Sequence, residues 1–204
     1  MDHSRPGSDG KGLNVFEGSA ILGYLARTYD RDHRLSFPVD SDEWAEAESW
    51  IGWQHGGLGP MQGQANHFAI FARDKGGPYG AQRYVGETER LYGVLDARLA
   101  GPRKYVAGAG PEGRFSVADI AILGWADGTA WLGIDLASQF PNVAAWLARC
   151  RERPGVQKGF QIPTSSPFAN HLVPTNPQLR ESAEAAKKYV DEAKEKFGYK
   201  YSSP

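Results

Sequence analysis

The sequence predicts an all-α domain, and three observations carry that prediction. Apolar residues recur at the three-and-four spacing of a helix through most of the chain. A Ser116 to Asp119 capping pattern opens a segment that is apolar on every side, as in a helix enclosed by others. Strand-like alternation is confined to the short Leu13-Asn14-Val15-Phe16. At 204 residues and 41% hydrophobic, the chain is large enough to bury a core. Its net charge of -1, with no block of Lys or Arg, argues against a nucleic-acid or membrane-surface partner. Cys150 is the single cysteine and has no partner for a disulfide, which fits a reducing compartment, so a cytoplasmic location is expected. The polar start, Met1 to Gly12, reads as a flexible lead-in, and no apolar run reaches the length of a membrane span.

Taken in order, residues 1–30 are expected to hold the disordered lead-in, the strand remnant and one short helix carrying Ala20, Ile21, Leu22, Tyr24, Leu25 and Tyr29. A polar linker, Asp30 to Asp40, follows. The main helical domain is expected over 41–160. Ser41, with Glu43 and Trp44 behind it, starts a long helix whose apolar residues run to about Ala72. Gly56, Gly57, Gly59 and Pro60 are expected to kink or break it and to widen a groove beside it. After the turn Lys75 to Pro78, a second helix spans Tyr79 to Leu99, and the glycine-rich Ala100 to Arg114 is a loop. Ser116 and Asp119 then cap the enclosed helix, with Phe115 and Ile120 at the staple positions around the cap. Phe140-Pro141-Asn142 leads into a helix bearing Val143, Trp146, Leu147 and Cys150, and Arg153-Pro154-Gly155-Val156 starts a short one. Residues 161–204 form a proline-rich linker and a charged helix, about Gln178 to Phe197, read as a peripheral arm.

Three passages resemble the glutathione S-transferase family, in the branch related to the nu-class enzymes and the yeast nitrogen-regulator prion protein. The first runs Tyr105 to Gly108, Phe115 to Ala121, Phe140 to Val143 with Trp146, and Arg153 to Val156, in the order of the family's helical domain. The second, Gly59-Pro60-Met61-Gln62-Gly63-Gln64-Ala65-Asn66-His67-Phe68, looks like the branch's signature in the helix lining the substrate cleft. The third, Val15 to Leu22, looks like the end of the family's thioredoxin-like domain. The resemblance implies a glutathione-transferase C-terminal-like helical bundle with a short remnant of that thioredoxin-like domain. The group that activates the glutathione thiol is expected to be missing with the rest of it. Where the family usually has Glu-Ser-Gly, this chain has Glu17-Gly18-Ser19, which displaces the hydroxyl expected to meet the γ-glutamyl carboxylate. Glu17 and Ser19 are the corner of a glutathione site that the resemblance leaves in place; no cofactor is expected, with glutathione the one alternative.

Each candidate residue has a plainer alternative. Glu17 can be a relic of γ-glutamyl recognition or an acid stabilising the first turn of a helix. Ser116 and Asp119 are a cap rather than a nucleophile and its acid. Cys150, near Trp146 and Leu147, is read as buried and inert. Trp53, His55, Met61, Gln64 and Trp125 are expected to bind substrate, and Asn66 and His67 to act on it, His67 as the general acid or base. The competing reading is that these aromatics only pack a core. No pair of histidines has metal-ligand spacing, so no metal is expected. The expected function is a transferase-like enzyme that isomerises, cyclises or eliminates from a hydrophobic small molecule without glutathione. The alternatives are a glutathione-conjugating transferase completed by another chain, and a non-catalytic binding or scaffold protein. A homodimer is expected from the face that a thioredoxin-like half would cover.

Overall fold

Nine α-helices are formed among the described residues, which in this computed structural model are 2–7, 10–164, 169 and 173–198. They are α1 (Gly18–Tyr29), α2 (Asp42–Trp53), α3 (Gly59–Asn66), α4 (Arg73–Arg98), α5 (Val117–Ala126), α6 (Leu136–Gln139), α7 (Pro141–Arg151), α8 (Pro154–Gly159) and α9 (Pro177–Phe197). The predicted all-α class holds. The sheet content described is one ribbon, in which β1 (Asp2–Pro6) pairs antiparallel with β2 (Gly12–Leu13). Much of the lead-in expected to be flexible is therefore folded. Its anchor is Asp2, whose carboxylate accepts hydrogen bonds from the hydroxyls of Tyr24 and Tyr29 on α1. Part of the proline-rich linker, 165–168 and 170–172, lies outside the described residues.

Ser41 caps α2 as its sequence suggests, accepting from the Trp44 amide at 3.2 Å. The expected break at Gly56 to Pro60 is absent. α2 runs through a π-helical turn, Gln54–Leu58, into α3, and a second π-helical turn, His67–Phe71, follows. Proline cannot donate to the ladder and its ring crowds the carbonyl four residues back. The π turn just before Pro60 absorbs this, because the Gly59 amide bonds to the carbonyl of Gln54 with the wider spacing and the backbone stays helical at Gly59 (φ -59°, ψ -55°). In α4 the regular helix begins after Gly77, whose φ of 70° supplies the turn expected at Lys75 to Pro78.

α5 is the centre of the bundle. Ile122 and Ala126 are fully buried, Val117 and Leu123 nearly so, and burial of the isoleucine, valine and leucine side chains contributes about 1.5–3 kcal/mol each. Its N-terminus carries the predicted capping box: the Ser116 amide donates to Asp119 at 2.9 Å and the Ser116 hydroxyl accepts from the Ala118 amide at 3.3 Å. Asp119 does more than cap. Its other oxygen accepts from the Val106 amide at 3.1 Å and from the Trp146 indole N–H at 2.9 Å, so one carboxylate ties the 100–114 loop and α7 to α5. A second carboxylate works the same way. Asp96 on α4 accepts from the amides of Asn142 and Val143 at 2.8 and 3.0 Å, capping α7 from another helix.

The terminal helix is not a peripheral arm. Ala183, Ala186, Val190 and Ala193 of α9 are buried, and the helix packs on α4, on the His67–Phe71 turn and on a short 3-10 turn, Thr129–Leu132. Lys194 donates to both oxygens of the buried Glu89 at 2.6 Å, and the rings of Tyr79 and Phe197 meet edge to face at 5.5 Å. Sequence alone shows the charged face of α9 and hides the small-residue face, because alanine reads equally well as exposed helix.

Asp119→Ala is expected to lower the unfolding free energy by about 3–5 kcal/mol in a urea titration, since it leaves three buried donors unpaired. Burial, opposed by those hydrogen bonds, pushes the Asp119 carboxyl up to about 6. With the folded value above the unfolded one, its contribution to stability is full below about pH 4 and is lost as pH rises through 6. The stability deficit of Asp119→Asn is accordingly expected to be larger at pH 4 than at pH 7.

Candidate functional site

The predicted site residues lie mostly on the continuous helix formed by α2, the first π turn and α3, and the structure divides them between faces. His55, Gly59, Gln62 and Asn66 follow one another at three- and four-residue spacing and form one stripe. At its upper end His55 abuts the first turn of α1. The imidazole Nδ1 lies 3.0 Å from the Ile51 carbonyl oxygen, which only accepts, so Nδ1 donates to it. The ring Nε2 sits 2.6 Å from where a Cβ on Gly18 would stand. A side chain at position 18 would push the imidazole aside. Glu17, immediately before, is exposed and adopts φ 69°, a conformation that costs a non-glycine residue about 1–3 kcal/mol. Ser19 is half-buried one residue further into the helix.

In the middle of the stripe, Gly59 and Gly63 receive the indole of Trp125 from the end of α5, which lies 3.1 Å from the Cβ position of Gly59 and 3.8 Å from that of Gly63. Gln62 is buried and fully engaged: its amide nitrogen donates to the Trp125 carbonyl at 2.8 Å and its oxygen accepts from the Tyr92 hydroxyl at 2.7 Å. Gln62 thus holds the backbone of Trp125 in place.

At the lower end a pocket of about 240 Å³ opens beside Trp125, walled by Phe71, Trp131 and Phe160 and carrying Gln62, Asn66 and Asp127 as its polar side chains. Asn66 Oδ1 is buried and has no hydrogen-bond partner. Asp127 is ion-paired with Arg151. The Phe71 and Trp131 rings meet edge to face at 5.4 Å, on the turns that α9 packs against.

Asn66 and Trp125 are therefore brought together, and His55 separately meets Gly18, which stands between Glu17 and Ser19 at the start of α1. The remaining predicted residues point elsewhere. Trp53 is half-buried and packs edge to face on Trp50 at 5.1 Å, and Met61 packs partly buried against the core. Gln64 is exposed. His67 is exposed too, its ring perpendicular to Phe68 at 5.0 Å, and it does not line the pocket. Gln62, Phe71, Asp127, Trp131 and Phe160 join the pocket without being among the residues the sequence marks. Gln62 was within reach of the periodicity, being four residues before Asn66, whereas Phe160 and Trp131 come from distant turns and carry no local signal.

Cys150 is buried on α7, and burial raises its thiol well above the ordinary range, as expected of an inert residue. Among the described residues no cluster of three or more His, Cys, Asp or Glu is placed to hold a metal, and no helix is long and apolar enough to cross a membrane.

A helical bundle with a capped, buried α5 against a continuous glycine-bearing helix defines a glutathione-transferase-type second domain, and the family model for the glutathione S-transferase C-terminal domain matches residues 65–154. The chain belongs to the glutathione S-transferase family, in its Ure2-like branch. It is 40% identical over 154 residues to the glutathione S-transferase-like protein tpcF of Aspergillus fumigatus, an overlap of 72% of this chain and 68% of that protein. A glutathione transferase homolog from Lodderomyces elongisporus, solved with two GSH per subunit, superposes with a TM-score of 0.72 at 40% identity, over 79% of this chain and 73% of that one. The transferase URE2P6 of Phanerochaete chrysosporium, solved with oxidized glutathione, gives 0.67 at 30% identity, over 74% and 67%.

Gly18→Ala places a methyl carbon against His55 Nε2 and is expected to cost about 1 kcal/mol, the worth of the Nδ1 bond that must break as the ring moves aside. A double-mutant cycle with His55→Ala checks this: the loss should disappear in the double variant, and an unchanged loss would refute the contact.

Proposed function

We propose that this chain belongs to a transferase-like enzyme that acts on a hydrophobic small molecule, and that its chemistry, an isomerisation, cyclisation or elimination, does not draw on glutathione. The observation supporting it is the contact of His55 with Gly18. In the family's usual order serine would stand at position 18, and its Cβ would lie 2.6 Å from His55 Nε2. The imidazole thus takes the space from which the serine side chain would meet a γ-glutamyl carboxylate. Ser19, one position on, is rotated about 100° around the helix. The pocket beside Trp125 then offers what such a reaction needs, aromatic walls that hold a flat substrate in a reactive conformer and a polar group within reach. Of the two residues expected to act on substrate, Asn66 lines this pocket and His67 does not, so the proposal rests on Asn66.

A glutathione-dependent reaction is the second reading. It is favoured by the relatives solved with glutathione and by the exposed Glu17 at the start of α1. Thermal-shift titration separates the two. Glutathione at millimolar concentration is expected to leave the melting temperature unchanged; saturable stabilisation would overturn the first reading and support the second.

We also propose a homodimer. Phe16, Leu25 and Tyr29 are 71%, 47% and 56% exposed around α1, an apolar face of the kind that drives association. Light scattering at micromolar concentration should give twice the monomer mass, and Leu25→Glu should halve it.

A further inference from the structure

Resting on the reading of the Trp125 pocket as the substrate site, we infer that its ligand is a flat, uncharged aromatic molecule of one or two rings carrying a hydrogen-bond donor such as a phenolic hydroxyl. Size comes first. An apolar cavity of about 150 Å³ accepts benzene, so the 240 Å³ here accommodates a second fused ring. The walls are the aromatic faces and edges of Phe71, Trp125, Trp131 and Phe160, which suit a planar π-system over a bulky aliphatic one.

The polar groups decide the chemistry. Gln62 has both ends of its amide committed, to the Trp125 carbonyl and the Tyr92 hydroxyl. Asn66 differs: its Oδ1 is buried without a donor, and a buried acceptor left unmatched costs about 1–3 kcal/mol. A rotation of the Asn66 amide toward the cavity lets a ligand hydroxyl or N–H meet that oxygen and removes the cost. The charged residue in the lining is Asp127, and its ion pair with Arg151 leaves the pocket with no uncompensated charge of its own. A carboxylate or sulfonate entering it would lose its hydration with no lysine or arginine in the lining to meet it. The arrangement therefore selects for donors and against anions.

Quenching of tryptophan fluorescence by 2-naphthol, naphthalene, 2-methoxynaphthalene and 2-naphthoate tests the inference. The expected order is 2-naphthol tighter than naphthalene and 2-methoxynaphthalene by about tenfold, with 2-naphthoate weakest. Asn66→Leu should erase the advantage of 2-naphthol and leave naphthalene binding intact. Equal binding of 2-naphthol and 2-methoxynaphthalene to the parent protein would overturn the donor assignment while leaving the pocket reading standing, and needs no variant to fold. Tighter binding of 2-naphthoate would overturn the charge argument in the same way. Failure of every probe to bind, or binding unchanged by Phe160→Ala and Trp125→Ala, would sink the pocket reading itself.

Discussion

The carboxylate of Asp119 is the constraint on which the bundle depends. It lies in the core, where a charge is costly unless it is matched, and it is matched by donors from three separate pieces of chain: the start of its own helix, the 100–114 loop through Val106, and α7 through the indole of Trp146. The opposing forces leave the acid about 6, still largely ionised at neutral pH, so the hydrogen bonds it accepts are charge-assisted. A cap that only ended a helix would need one or two of those donors. Because Asp119 takes all of them, the start of α5 fixes where α7 and the loop must lie, and through α5 it also fixes where Trp125 emerges against α3.

The second organising feature is the way one helix reaches from α1 to the far pocket. Two π turns let α2 and α3 run on through glycines and a proline that, by local propensity, should break them. Each π turn also re-phases the faces that follow it. The glycines have a separate task, since Gly59 admits the Trp125 indole within 3.1 Å of where its Cβ would stand, and Gly63 meets the same ring at the ordinary contact distance of 3.8 Å. A run that looks like a flexible break is in fact a continuous helix with one smooth side, and the smooth side is where the pocket wall is built.

What sequence reveals follows from how local each cause is. Ser41, and Ser116 with Asp119, are legible because a cap acts within one turn of its own helix. The cap of α7 is illegible because Asp96 supplies it from a residue far away in sequence. The docking of α9 is hidden by its alanines, and the β ribbon by its dependence on Asp2 meeting two tyrosines of α1. The candidate site divides along the same line. Asn66 and Trp125 could be named as aromatic and amide groups on buried helices, whereas the exposure of His67 and Gln64 depends on the phase of a helix that the π turns shift. Phe160 and Trp131 become wall residues only through tertiary packing.

The exchange of Gly18 and Ser19 shows how a local departure can have a distant cause. Read alone, it looks like a hydroxyl lost from a binding corner. In the fold it is half of a pair: His55, held by its Nδ1 bond to the Ile51 carbonyl, fills the position that a side chain at 18 would occupy. Serine at 18 would move the imidazole aside, and removing the imidazole leaves a gap beside the first turn of α1. Asn66 stands at the other end of the same continuous helix, so the α1 corner and the Trp125 pocket are held in register by one element.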